Sequence, residues 1–426
     1  MKLMNVKGTF DFMPKDMKIR NDIINTLRTS FEEYGYLPLE TSLLNYYDLL
    51  SYKYSDDAEI LNEIYRLTDQ GERDLGLRYD LTVPFCKVVG LNKGLTLPFR
   101  RYEIGKVFRN GPVKTGRARE FYQCDIDVVG LDNRFIEAEQ ILMAINTYKK
   151  LGIEVIVKYN NRKLMSGLIL KSGIDRDKTD NVIGIIDKME KVSLADIKDM
   201  LRSEMIDDSK IEMLMSLFNK DLAYYETIRS ENELIDSGVA ELKEINDYLE
   251  GLGIADSCFF TPTLARGLSI YTGIVFEFFD KKKRLTCAIG GGGRYDKIIT
   301  NFMDNGNSYP AVGLSFGLEP IFAILKEEQT SSRLIDIYMV PLNENIACLK
   351  LADVFRNMGY RVLIEMKKKK IGKCFEYADN ENIKYVMIIG EDEVKTGIYK
   401  IKNMEEKKEY SYSKEELIKY LDKGTK

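Results

Sequence analysis

Apolar and polar positions alternate with two different periods along this chain, and the switches between them outline its elements. Residues 15–34 carry helical spacing through Ile19, Ile23, Ile24, Leu27 and Phe31, and Gly35 supplies the stop. A strand is expected through Leu37, Leu39 and Thr41. Residues 60–85 read as a strand, a tight turn at 69–73 and a second strand. Period-two alternation over 99–109 and again over 120–129 predicts a strand pair joined by a basic loop at 110–118. In the second of these strands Gln123, Asp125 and Asp127 share one face, and Tyr122, Cys124, Ile126 and Val128 share the other. A polar strand face beside a loop with Lys114 and Arg117, edged by Arg109 and Arg119, fits a pocket for a small polar molecule and an anion. It equally fits a solvated outer face with a charged hairpin tip.

Downstream, 134–150 predicts an amphipathic helix, and 160–252 reads as helical and charged, with a capping-box start at Ser193 to Asp196. Strands return over 258–280, with Arg266 at a turn and a β run starting at Tyr271. Four consecutive glycines at 290–293 allow close backbone approach or positive-φ turns, and 311–326 reads as a strand running into a helix. A polar stretch at 327–333 predicts a linker. Beyond it strands at 335–340, 361–364 and 385–389 alternate with helices at 346–358 and 372–380, a βαβαβ pattern that predicts a separate α/β domain with a mostly parallel sheet.

The length of 426 residues allows two or three domains, and 31% charged with 44% hydrophobic residues is ordinary for a globular chain. No apolar run approaches the ~20 residues of a membrane span, and the first residues lack the apolar segment of a signal peptide. The six cysteines at 86, 124, 258, 287, 348 and 374 form no C-x-x-C pair, which speaks against zinc and fits reduced thiols in the cytoplasm. Histidine is absent altogether, which excludes a Ser-His-Asp triad, an H-E-x-x-H metal site and any histidine general base. Chemistry must run on carboxylates, Arg, Lys, Tyr or a bound metal. The net charge of −4 argues against a generally basic nucleic-acid coat, although 333–426 carries a small basic excess.

The run FRRYEIGKVFRNGPVKTGRAREFYQCDIDVVG at 99–130 resembles motif 2 of class II aminoacyl-tRNA synthetases, and of the histidyl-tRNA synthetase family in particular. LRYDLTVPF at 77–85, LARGLSIYTGIVFE at 264–277 and GGGGRYD with PAVGLSFGLE within 290–319 resemble the same family in the same order, so the likeness covers nearly the whole chain. It implies an α+β catalytic domain over 1–326, with an antiparallel sheet flanked by helices and a helical insertion at about 160–252 that clamps the tRNA acceptor arm, then an α/β anticodon-binding domain over 333–426. It also implies ATP-dependent ligation of L-histidine to tRNA-His through a histidyl adenylate, with Mg²⁺ on the ATP phosphates and no metal held by the protein alone. A cytoplasmic homodimer is expected; the unit at 15–41 resembles motif 1, the dimerisation element of class II enzymes, while its helix by itself reads as a core helix more than as an interface.

The resemblance assigns roles residue by residue. Arg109 and Arg266 are the implied catalytic pair on the α-phosphate. Asp80 and Thr82 hold the substrate ammonium, Gln123 touches its backbone groups, and Asp127 with Tyr271 reads the imidazole; Leu81 and Ile270 complete the implied histidine set. Lys114, Arg117 and Arg119 are tRNA candidates, and the lysines at 367–370 either meet RNA phosphates or form a solvated basic loop. The chain departs from the family pattern at Ser42, Gly111, Ser269, Ile270 and Pro320, the last replacing an arginine that clamps ATP. Those departures keep open a non-aminoacylating paralogue: a histidine-sensing regulatory subunit of ATP phosphoribosyltransferase, or another protein that binds tRNA or an amino acid.

Overall fold

The computed structural model describes residues 2–52, 59–113, 118–189, 192–266, 270–303, 305–328 and 333–423. The chain forms two compact units, one of residues 1–11 and 20–324, the other of 12–19 and 325–426. In the first, an eight-stranded sheet runs in the order Leu37–Pro38, Phe99–Phe108, Glu120–Val129, Ala311–Gly317, Gly290–Arg294, Ile274–Asp280, Val155–Asn161 and Cys258–Phe260. Neighbours are antiparallel except for the pair at each end, which is parallel. The sheet is therefore mixed at its edges and antiparallel at its centre.

One face is apolar. Phe31, from the helix Pro14–Glu33, packs on Tyr102 and Phe316, and Tyr148, from the helix Phe135–Lys150, packs on Phe278 and Phe316. Gly35, at φ +76°, closes the first helix as its sequence predicts, and the Tyr36 amide turns back to the Phe31 carbonyl. The capping box at Ser193 also forms, with Ser193 and Asp196 exchanging side-chain-to-amide bonds at 3.2 Å. It opens one of the helices between Arg162–Lys171 and Glu233–Gly251 that make up the predicted insertion.

Other expectations change. Residues 60–85 hold two short strands, Arg66–Thr68 and Asp74–Leu77, and the helix Thr82–Leu91 begins where a strand was expected. Asp80 accounts for this, because its Oδ1 accepts the Val83 amide at 3.0 Å and starts the helix. Only Leu37–Pro38 pairs in the motif 1 strand, and Thr41 instead gives its amide and hydroxyl to buried Glu103. The β run expected from Tyr271 starts at Ile274, and the four glycines lie within a strand, not a turn.

In the second unit the order is Val362–Ile364, Ile337–Pro341, Tyr385–Ile389, Ile398–Asn403 and Lys408–Ser413. The first three are parallel, as the βαβαβ pattern requires, but the last two add antiparallel, so the sheet is mixed. This final hairpin is hidden in sequence because lysines and glutamates interrupt its alternation, leaving buried Ile401 as its core anchor.

The strand of glycines is fixed to the helical layer by charge. Arg294 donates to both oxygens of Glu137, at 2.8 and 3.0 Å, with both side chains almost fully buried. Glu137→Ala leaves that guanidinium with the Leu131 and Asn133 carbonyls and Asp296 but without its buried carboxylate, and a loss of about 1–3 kcal/mol is expected. Chemical unfolding of the full chain checks this; Glu137→Gln should cost less.

Candidate active site

The opposite face of the large sheet is polar, and strand register builds it. Arg101 stands across from Asp127, and Glu103 from Asp125, between the strands Phe99–Phe108 and Glu120–Val129. On the next strand Gly313 faces Asp127 and Ser315 faces Asp125; beyond them Gly293 and Gly291 continue the two rows, then Val275 and Glu277. The expected alternation of Gln123, Asp125 and Asp127 is present, and its face is buried, not solvated.

Glycine makes room for these long side chains. A Cβ at Gly313 would lie 2.3 Å from Asp127 Oδ1, and one at Gly291 would lie 2.0 Å from Arg266 Nη1. Arg266 thus lies directly on the glycine strand, 5.5 Å over the Tyr271 ring and 4.0 Å from Glu277. Arg109, half-buried, donates Nε to the Tyr79 carbonyl at 3.1 Å and packs over Phe121. The Tyr79 carbonyl directly precedes Asp80, so one contact positions both the expected phosphate arginine and the expected ammonium ligand. Leu81 is fully buried, and its carbonyl accepts from Arg101 at 3.1 Å. Thr82 opens the helix that carries Phe85 and Cys86. Ile270 belongs to an apolar cluster with Phe85, Val89 and Tyr295, so it forms wall and offers no polar contact.

Asp127 is the most constrained of these residues. Its Oδ2 lies 2.6 Å from Arg101 Nη2, and its Oδ1 accepts from the Tyr295 hydroxyl. Burial pushes its carboxyl up to about 6, against the pull of Arg101 and Tyr295. Burial pushes Asp125 further, to about 7, partly opposed by Arg101 and reinforced by the Asp127 charge. Among the described residues, most of the buried side-chain atoms without a hydrogen-bond partner lie on this one face: Arg101 Nε and Nη1, Gln123 Oε1, Asp125 Oδ1, Asp127 Oδ2 and Arg266 Nη1. Such atoms are rare in folded proteins, and their clustering on one face fits the expected pocket for a polar molecule.

Three expected positions stand apart. Lys114 and Arg117 lie outside the described residues. Arg119 is tied into the hairpin base, with its amide on the Gly8 carbonyl at 2.8 Å and Nε on the Gly111 carbonyl at 3.3 Å. At the departure Gly111, a side chain would meet the Glu63 carboxylate at 2.5 Å, so a carboxylate from another segment occupies that space. Sequence reasoning missed Arg101, Glu103 and Tyr295. The alternation of 99–109 held the signal for the first two, since it puts 101, 103 and 105 on one face.

The family description Histidyl-tRNA synthetase matches residues 8–321, and Anticodon binding domain matches 336–424. The crystal structure of histidyl-tRNA synthetase from Nostoc sp. superposes with a TM-score of 0.84 at 26% identity, covering 99% of this chain and 100% of that one. The fold is that of a class II aminoacyl-tRNA synthetase catalytic unit with an anticodon-binding unit. Histidine--tRNA ligase 1 of Bacillus cereus is 44% identical over 426 residues, 99% of this chain and all of the relative. The chain belongs to the histidyl-tRNA synthetase family. A Bacillus halodurans C structure, titled as an ATP phosphoribosyltransferase regulatory subunit/histidyl-tRNA synthetase, shares the fold with a TM-score of 0.75 at 21% identity, covering 92% of this chain and 99% of that one.

The raised carboxyls fix a pH signature. Folding favours the neutral acid of Asp125, so its contribution is complete below the unfolded value of 3.8 and is lost as pH rises through about 7. Asp125→Asn removes that loss. The melting temperature of the variant relative to the parent should therefore be higher at pH 8 than at pH 5, by calorimetry without substrates.

Proposed function

We propose that this protein ligates L-histidine to tRNA-His at the expense of ATP, through an enzyme-bound histidyl adenylate. The observation that carries the reading is the cluster of buried polar atoms with unfilled hydrogen-bonding capacity on the polar sheet face, in a chain whose family matches cover 8–321 and 336–424. In the first step the histidine carboxylate attacks the α-phosphorus of ATP and pyrophosphate leaves. Negative charge builds on the phosphorus oxygens, and Arg109 and Arg266 are the guanidiniums assigned to meet it. Asp80 and Thr82 accept from the ammonium, Gln123 contacts the amino-acid backbone, and Asp127 with Tyr271 addresses the ring nitrogens. Leu81 and Ile270 shape the surrounding wall. In the second step a ribose hydroxyl at the tRNA terminus attacks the carbonyl carbon and AMP leaves. A phosphate oxygen of the adenylate takes the proton, so the chemistry asks for no histidine and the chain has none.

Mg²⁺ would be carried by the ATP phosphates, where it neutralises charge. Among the described residues no group of three or more His, Cys, Asp or Glu side chains could hold a metal ion by itself. The 336–424 unit is the proposed anticodon reader, and Lys114, Arg117 and Arg119 are proposed to meet tRNA near the acceptor end. We place the enzyme in the cytoplasm as a homodimer that uses the 15–41 unit. No helix among the described residues is long and apolar enough to cross a membrane.

Histidine-dependent ATP–pyrophosphate exchange followed by charging of tRNA-His tests the reading. A purely histidine-sensing protein would bind histidine and give neither. Arg266→Ala should slow adenylation by about 10²–10³ with the fold retained, as loss of one transition-state donor does; single-turnover kinetics measures it. Asp127→Asn should weaken histidine binding far more than ATP binding, which calorimetry separates.

A further inference from the structure

The roles assigned above leave unused a buried cation that touches the expected imidazole reader, Arg101. Arg101 has 0% of its side chain exposed and sits directly opposite Asp127 in the strand register. Its Nη2 meets Asp127 Oδ2 at 2.6 Å and donates to the Leu81 carbonyl at 3.1 Å. Its Nη1 lies 3.6 Å from Glu103 Oε2, and the guanidinium lies 4.5 Å over the Phe85 ring. One side chain thus joins the 80–82 segment, the wall helix and the strand that carries Asp127.

A fold does not need this arrangement. Burying a guanidinium costs several kcal/mol, and apolar residues of similar volume often serve a core as well or better. Glu103 does not need Arg101 either, since Arg78 already holds it at 2.6 Å and Thr41 donates to it. What depends on Arg101 is Asp127. Among the described residues, the titratable and charged groups that act on that carboxylate are Tyr295, Tyr36, Asp80, Glu103, Arg101 and its strand neighbour Asp125, while Gly313 opposite it brings no side chain. Arg101 is the one cation in that set, among three other carboxylates.

We propose that Arg101 is a positioning residue for amino-acid selection: its guanidinium keeps Asp127 anionic and its Oδ2 oriented, so that a substrate ring N–H meets a carboxylate and not a carboxylic acid. This rests on the histidine-ligase reading above. Tyr295 holds Oδ1, and Oδ2 meets Arg101 at 2.6 Å on one side, which leaves its other lone pair for a ligand. Burial already lifts this carboxyl to about 6 with the guanidinium in place. Without it the carboxyl moves up through neutral pH, and the acceptor is lost at neutrality and regained in alkali.

The test uses the full-length enzyme in histidine-dependent ATP–pyrophosphate exchange from pH 6 to pH 9.5. Arg101→Met and Arg101→Lys are compared with the parent, and each KM is expressed as a ratio to the parent at the same pH, which cancels the titration of free histidine. In Arg101→Met the histidine ratio should reach about tenfold or more near pH 7, the equivalent of one pKa unit, and fall towards one by pH 9.5. The ATP ratio should stay within about twofold, since ATP does not meet Asp127 in this reading. Arg101→Lys, which keeps a cation, should show a smaller rise with an inflection at lower pH than Met. A histidine ratio of one throughout, a rise independent of pH, or a parallel rise for ATP would overturn the proposal. Should Arg101→Met fail to fold by calorimetry, an unshifted profile in Arg101→Lys would overturn it. A parent without histidine-dependent exchange would instead sink the ligase reading, and the inference with it.

Discussion

Arg101 and Asp127, and beside them Glu103 and Asp125, stand in two cross-strand pairs at the centre of the large sheet, each side chain no more than 4% exposed. Three carboxylates and one guanidinium cannot be left there unsupported, because charge out of water is costly unless paired and hydrogen-bonded. Much of the surrounding structure answers that requirement. Arg78 reaches across to Glu103 and also donates to the Thr41 and Lys106 carbonyls, which fixes the motif 1 segment against the strand. Tyr295, the second residue past the Gly290–Gly293 run, turns its hydroxyl onto Asp127. Asp125 Oδ1, Arg101 Nε and Nη1 and Gln123 Oε1 are left without hydrogen bonds, and that unmet demand falls where the proposed site lies.

The glycine strand follows from the same constraint. Glycine weakens a strand, since it packs nothing and loses more conformational freedom on folding than other residues. Gly290–Arg294 is nevertheless paired on both sides, by Ala311–Gly317 and Ile274–Asp280. Its neighbours supply the ladder, and Arg294 anchors its end to Glu137. Local stability is thus given up where Arg266 and Asp127 need to lie flat on the sheet, and is recovered at the strand's end and on the apolar face around Phe316 and Phe278. Alanine at 291 or 313 would fit the strand better and would collide with the side chains the face exists to present.

The sequence carried this face well where its code is periodic. Alternation placed Gln123, Asp125 and Asp127 together, and the helical period with Gly35 bounded the first helix. It failed where a tertiary contact overrides the local pattern. Asp80 turned an apolar run into a helix by capping it, and Thr41 left its strand to bond Glu103. The glycine run was open between close backbone approach and positive-φ turns, and it forms a closely approached strand because the partners on either side decide it. Arg101 and Tyr295 were overlooked for a different reason. Alternation puts Arg101 on the polar face, but only register sets it against Asp127, and Tyr295 reaches Asp127 by its side chain from beyond the end of the glycine strand. The assignment of individual substrate contacts came from resemblance, and no period or spacing could have supplied it.

The absence of histidine sharpens what this site can report. In most enzymes a titration between pH 5 and 8 is ascribed first to histidine, the side chain whose ordinary value falls there. This chain has none, and burial drives the thiols of Cys124, Cys258 and Cys348 upward, away from that range. Asp127 and Asp125, pushed to about 6 and about 7, are two protein groups brought into it. They share one guanidinium and sit side by side, so they titrate as a coupled pair and not as two independent acids. The substrate's own imidazole and the phosphates of ATP are the other groups that change charge there. In the proposed reading Asp127 is the carboxyl that meets the imidazole, poised near the pKa of the ring it would bind, and Asp125 is coupled to it through the guanidinium they share.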